Sequence, residues 1–202
     1  MVALDSEEDA LERGDRAPAF ELRGTDDETA ALDDFAGNEA LLLVFTCNHC
    51  PYAKAKFDEL NALADEYDDV AVVGINPNDA EEYPEDSFAK MQEYVDAGKV
   101  QYDAYLRDGS QAVAAAYGAA CTPDPFLFEN SAASAAPHGA GEAAGDGEFR
   151  LVYHGRLDDA RNPDEEPTER EMKDIIDRLL AGEEVDDEFK PSRGCSIKWR
   201  DD

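Results

Sequence analysis

Residues 41–51 read Leu-Leu-Leu-Val-Phe-Thr-Cys-Asn-His-Cys-Pro. The apolar half, which begins at Ala40, has strand length and no polar interruption, the pattern of a central strand covered on both faces. Then the chemistry changes abruptly: Cys47 and Cys50 stand three positions apart around His49. Pro51 follows, a residue tolerated in a first helical turn because no intrahelical N–H bond is lost there. The stretch predicts a buried strand running into a helix, with two thiols at the junction.

The flanking sequence extends this unit in both directions. Phe57, Leu60, Leu63, Ala64 and Tyr67 recur at helical spacing, predicting a helix from Cys50 to about Tyr67. Val70 to Ile75 is a second buried strand, Asn76 to Asp79 a turn, and Tyr83 to Val95 a helix with Phe88, Met91, Tyr94 and Val95 as its apolar stripe. An Ala-rich helix is expected around Gly109 to Tyr117, and short strands at Phe126 to Phe128 and Leu151 to Gly155. Residues 129–148, rich in Ala, Gly and Ser and containing His138, read as a flexible insert between those strands. A last helix is expected from Thr168 to Leu180, with Thr168 and Glu171 as a capping box and Gly182 as the stop. Upstream, Ala19 to Leu22 is extended and Leu32 to Gly37 a turn.

A β-α-β crossover followed by two strands close in sequence predicts an α/β domain, a central mixed sheet flanked by helices. The expected organisation is an acidic N-terminal arm at residues 1–13, one domain at 14–182, and a polar, mobile C-terminal tail at 183–202 that carries Cys195.

The 202 residues include 49 Asp and Glu against 18 Lys and Arg, a net charge of -31. Such a surface repels itself in dilute buffer, whereas at about 1 M salt the Debye length falls to roughly 3 Å. With seven lysines in all and acids spread along every segment, the composition predicts a halophilic, haloarchaeal type of cytoplasm. A uniformly negative field opposes nucleic acid and anionic membrane as partners. The N-terminal residues lack the basic and apolar regions of a secretory signal, and no aliphatic run approaches the ~20 residues of a membrane span. The expected location is therefore cytoplasmic.

In a reducing compartment, cysteines spaced like 47 and 50 point to catalysis or metal binding before structural bridges. At a helix start, unsatisfied N–H groups and the helix dipole favour a thiolate, and a second thiol one turn away can resolve a mixed disulfide. His49 adds a potential positive charge, which lowers a thiol pKa. Two other readings stay open: a zinc site drawn from Cys47, His49, Cys50, Cys121 and Cys195, and two buried structural cysteines. No second Cys-X-X-Cys or His-X-His completes a metal site, so neither metal nor cofactor is assigned.

With the junction in view, the sequence resembles the thioredoxin-like superfamily and, within it, the redoxin group of AhpC/TSA, peroxiredoxin-like proteins. The resemblance spans roughly residues 14–182. It is carried by Gly14-Asp15-Arg16-Ala17-Pro18, Leu32-Asp33-Asp34-Phe35, the strand into Thr46-Cys47-Asn48-His49-Cys50-Pro51, and Tyr117 to Phe126, which contains Cys121-Thr122-Pro123. It implies a thioredoxin-like fold with a peroxiredoxin-type N-terminal extension and C-terminal tail, and a cis bond between Thr122 and Pro123 beside the redox cysteines. It also implies a thiol–disulfide oxidoreductase in cytoplasmic redox homeostasis. In that scheme Cys47 attacks, Cys50 resolves, His49 tunes the thiolate, and Thr122 and Pro123 shape the substrate groove.

The alternatives are a thiol peroxidase and a non-enzymatic zinc-binding module. With Cys50 aligned on the peroxidatic cysteine of typical peroxiredoxins, Cys47 falls where their threonine stands. Arg107 and Arg156 are candidates for the arginine those enzymes carry, with surface ion pairing the competing use of each. Cys121 and Cys195 are additional redox candidates. The expected partners are a disulfide-bearing protein or a small thiol or peroxide, with an electron donor the sequence does not name.

Overall fold

The computed structural model describes residues 3–7, 11–131 and 148–200. Most of the predicted insert, His138 included, lies outside the described residues.

Strand β4 (Ala40–Phe45) is the axis of the fold, and every one of its residues is buried. It pairs in parallel with β5 (Val70–Asn76) and antiparallel with β8 (Asp124–Asn130). Around these, β2 (Glu21–Gly24), β3 (Thr29–Ala31), β6 (Ala104–Arg107) and β9 (Phe149–His154) complete a seven-stranded mixed sheet in the order β3-β2-β6-β5-β4-β8-β9. Because strand side chains alternate between faces, β4 serves two cores at once. Leu41, Leu43 and Phe45 join Phe126, Phe128 and Tyr117 on one face, while Leu42 and Val44 join Leu60, Leu63, Met172 and Ile176 on the other.

The helices are α1 (Pro51–Lys54), α2 (Phe57–Glu66), α3 (Phe88–Asp96), α4 (Ala112–Tyr117) and α5 (Glu171–Leu180). Helices α2 and α5 cover one face, and α4 with the 3-10 turn at Leu32–Phe35 covers the other. Gly74 sits in β5 where a Cβ would meet the ring of Tyr102, so its lack of a side chain lets the ring pack against the strand.

Four expectations change; one is the helix expected from Tyr83 to Val95, which starts at Phe88 after a 3-10 turn at Pro84–Asp86. The single helix from Cys50 to Tyr67 is two helices with a break at Ala55 and Lys56; the Lys56 ammonium is drawn to Asp158 at 2.5 Å and to the Ala160 carbonyl. The Thr168 capping box does not form. Thr168 gives both its amide and its hydroxyl to Asp159, and α5 starts at Glu171, whose carboxylate holds Arg156 and Lys190. The acidic N-terminal arm contributes an extended strand, β1 (Ala3–Asp5). The tail forms β10 (Arg193–Ser196), which lies between β1 and the two-residue β7 (Cys121–Thr122) in a second, three-stranded sheet.

That second sheet is built chiefly from backbone. Cys195 is register partner of Thr122 and Ser196 of Cys121, and the Ile197 amide continues the pairing to the Ala120 carbonyl at 3.1 Å. The Ser192 hydroxyl donates to the Pro123 carbonyl at 2.7 Å, and the Lys198 amide donates to Asn78 Oδ1 at 2.8 Å. Gly194 lies so close to Thr122 that any Cβ would overlap the Thr122 carbonyl. The C-terminal segment is fixed to the domain at the place where Pro123 sits.

Candidate active site

Residues 46–50 leave the end of β4, and the Thr46 amide donates to the Ile75 carbonyl at 2.8 Å, holding the junction to β5. Helix α1 then starts at Pro51 with Cys50 as its N-cap, in extended conformation. Proline fixes the first helical position, so the helix end belongs to Cys50, and Cys47, expected as the attacking thiol, lies three residues earlier in the loop. Both cysteines are fully buried.

Thr122 lies between them. Its hydroxyl is 3.1 Å from Cys47 Sγ, and its carbonyl oxygen lies 3.4 Å from Cys50 Sγ. The next peptide, Thr122–Pro123, is cis. Cys195, brought in by β10, shares a buried cluster with Cys47, Cys50, Ala53, Phe57 and Tyr94.

The two thiols are driven in opposite directions. Hydrogen bonding from the Cys195 thiol, and then from Cys47, holds the Cys50 pKa far below the ordinary thiol value; the amides of Ala53 and Cys195 add to this and together outweigh burial. Burial first, then the hydrogen bond to Cys50 and the negative charge of Asp86, pushes Cys47 well above it. Both shifts point the same way, making Cys50, at the helix N-cap, the more acidic of the two thiols.

Below the loop stands a polar cluster that the sequence did not disclose. Asp86, fully buried, pairs with His49 Nδ1 and accepts from the Asn48 amide at 2.7 Å, Asn78 Nδ2 at 3.0 Å and Asn76 Nδ2 at 3.2 Å. Burial alone would raise its pKa, but the His49 hydrogen bond and charge, the Asn48 amide and Asn78 prevail and lower it. Asn48 is held further by its Oδ1 accepting from the Tyr105 hydroxyl at 2.8 Å and its carbonyl accepting from the Tyr94 hydroxyl at 3.2 Å. His49 stacks on Tyr83, and its buried Nε2 has no hydrogen-bond partner. The turn at Asn76 to Asp79 thus supports the thiol loop. Arg107, one of the arginine candidates, braces the same turn through the Asn76 and Asn78 carbonyls at 2.7 and 2.6 Å.

Arg156, the other candidate, is engaged by Glu171. Cys121 is buried with its thiol donating to the Pro123 carbonyl at 3.5 Å, and burial raises its pKa. His154 bonds Asp124 at 2.8 Å and stacks on Phe126, a packed and satisfied position. Of the residues in the zinc reading, Cys47 and His49 lie with Asp86 so that one ligand atom of each falls within 4.8 Å of the others. A metal there would have to displace the His49–Asp86 pair.

A dithiol at the end of a central parallel strand, capping a helix and facing a cis proline, defines a thiol redox protein of thioredoxin-like fold. More particularly, the chain belongs to the AhpC/TSA family, whose model matches residues 13–135. An uncharacterized conserved protein from Geobacillus kaustophilus has a similar structure, with TM-score 0.84 and 37% identity over 100% of this chain and 98% of that one. A hypothetical protein from Sinorhizobium meliloti is similar at TM-score 0.83 and 36% identity, over 98% of this chain and 99% of that one. The exposed lipoprotein thioredoxin Etrx1 of Streptococcus pneumoniae shares the fold at TM-score 0.51 and 21% identity, over 81% of this chain and 99% of that one. No curated protein matches the sequence.

Proposed function

We propose that the chain is a thiol–disulfide oxidoreductase in which Cys50, not Cys47, is the attacking thiolate. The observation that carries this reading is the convergence of both sulfurs on Thr122, with Cys50 alone at the helix N-cap. The Cys50 thiolate attacks one sulfur of a substrate disulfide; a Cys50–substrate bond forms and the other substrate sulfur leaves as a thiolate. Cys47 then attacks Cys50 Sγ, its proton passes to the departing substrate thiolate, and the Cys47–Cys50 disulfide closes. One disulfide is reduced to two thiols, and two protein thiols are oxidised. Thr122 orients Cys47 through its hydroxyl, Pro123 shapes the face beside the sulfurs, and His49 with Asp86 holds the intervening loop. The site of action is proposed to be a salt-rich cytoplasm.

The complete burial of both sulfurs favours a second reading, in which the oxidant is a small hydroperoxide. Cys50 would be oxidised to sulfenic acid with release of an alcohol or water, and Cys47 would condense with it, losing water. Cys47 in place of the peroxidase threonine weighs against this. Replacing Cys47 and Cys50 singly by Ser, and measuring disulfide reduction and peroxide consumption in molar salt, separates the two. The oxidoreductase reading expects C50S to lose disulfide reduction and C47S to accumulate mixed disulfide. It fails if wild type consumes peroxide rapidly and leaves disulfides untouched. The zinc-module reading expects about one equivalent of metal and no titratable thiols in protein purified without chelator.

A further inference from the structure

Three cysteines, not two, surround Thr122. Cys47 meets its hydroxyl, Cys50 meets its carbonyl, and Cys195 faces it across the β7–β10 pairing. Cys195 is buried in one cluster with Cys47 and Cys50, and hydrogen bonding between its thiol and Cys50 is the chief cause of the lowered Cys50 pKa. Cys50 is thus flanked by one thiol from the loop before α1 and another from the C-terminal strand.

We propose that Cys195 is a second resolving thiol, and that the Cys47–Cys50 disulfide passes by intramolecular exchange to Cys50–Cys195. The proposal rests on the reading of Cys50 as the reactive thiolate. In the exchange, the Cys195 thiolate attacks Cys50 Sγ; the Cys50–Cys195 bond forms, the Cys47–Cys50 bond breaks, and Cys47 leaves as a thiolate that takes up the proton Cys195 gave up. No external oxidant or reductant enters the step. Its product cross-links the start of α1 to β10 and returns Cys47 to the reduced state.

Two features make the third thiol part of the site. The strand that carries it is held on both sides of Cys195, by Ser192 on Pro123, by the Gly194 contact with Thr122, and by the Ile197 and Lys198 amides. In addition, the chief cause that keeps Cys195 protonated is its hydrogen bond to the Cys50 thiolate, followed by burial. Once Cys50 is bound in a disulfide, that charge is gone and the barrier to ionising Cys195 falls. Cys121 is excluded from the relay, because it precedes Thr122 in the strand and its thiol is turned to the Pro123 carbonyl.

The test uses the full chain in molar salt, oxidised with glutathione disulfide, quenched with an alkylating agent and mapped by non-reducing peptide mass spectrometry. Wild type should yield both Cys47–Cys50 and Cys50–Cys195 linkages, and C195S only the first. C47S, with C47A as a second version should serine disturb folding, should resolve its Cys50–glutathione adduct into Cys50–Cys195 roughly tenfold or more faster than C47S/C195S does. The proposal is overturned if C47S and C47A keep a stable glutathione adduct on Cys50 while Cys195 is alkylated. In that case a wild-type Cys47–Cys50 disulfide would leave the thiolate reading standing. If wild type takes no disulfide or adduct at Cys50, both fall together.

Discussion

Replacing Asp86 by Asn tests the polar foundation beneath the thiols. The carboxylate takes four donors: the Asn48 amide, the side-chain amides of Asn76 and Asn78, and His49 Nδ1. An asparagine can keep its oxygen toward Asn48 and Asn76, but its NH2 then faces two other donors. The His49 conflict is relieved by giving up the Nδ1 hydrogen bond. Asn78 relieves the other only by flipping, which forfeits the bond its Oδ1 accepts from the Lys198 amide. The net loss is about two charge-assisted hydrogen bonds in a buried site, about 3–5 kcal/mol. For a domain of this size that is roughly 6–20 °C in Tm.

The pH dependence supplies a second check. Because the folded-state pKa of Asp86 is lowered from its ordinary 3.8, the stability it contributes is complete above that value and is withdrawn as pH falls through the folded pKa. The gap between wild type and D86N should therefore be widest near neutrality and shrink below about pH 4. Denaturant unfolding in molar salt across pH 3 to 7 measures both quantities. A loss below about 1 kcal/mol at pH 7, or a gap that does not narrow in acid, refutes the account.

Thr122→Val keeps the shape of the side chain and removes the hydroxyl that lowers the Cys47 pKa; resolution of a Cys50 mixed disulfide should slow by roughly tenfold, about the worth of one hydrogen bond, as seen in stopped-flow release of a chromogenic thiol. Gly194→Val forces a Cβ into the Thr122 carbonyl, so β10 should lift; alkylation of Cys50 in native protein should accelerate by more than tenfold, while an unchanged rate would show that β10 does not cover the sulfur. Thermal scans between 0.1 and 3 M KCl should show Tm rising with salt, steepest at the low end where a net charge of -31 is least screened.

What could be read from the sequence was whatever rests on apolar pattern. The run Ala40 to Phe45 had to be a strand buried on both faces, and Pro51 after it had to open a helix, so the junction and its thiols were legible. Strand β6 was not: four residues, Ala104 to Arg107, are too few to establish a period. Asp86 was hidden for a different reason. It follows Glu81, Glu82 and Glu85 in a chain with 49 acidic residues, and one buried carboxylate among so many has no local signature. The tail read as mobile because it is polar. Its attachment comes from backbone pairing and one glycine contact, neither of which alters hydropathy. The proposed placing of the thiolate on Cys50 needed Cys195 in place, and nothing in the spacing of positions 50 and 195 foretells that they share one cluster.

The small sheet of β1, β10 and β7 has a practical corollary. Strands from near both ends of the sequence are stitched together over the sulfurs, with Arg161 and Arg193 clasping Asp5 on the outer edge. An affinity tag fused ahead of Ala3, or a fluorophore attached after Trp199, is thus tethered to the lid of the redox centre. Reactivity measured on tagged and tag-free protein should be compared before any rate is ascribed to the cysteines, and a force applied between the two ends would peel this sheet before it loads the seven-stranded one.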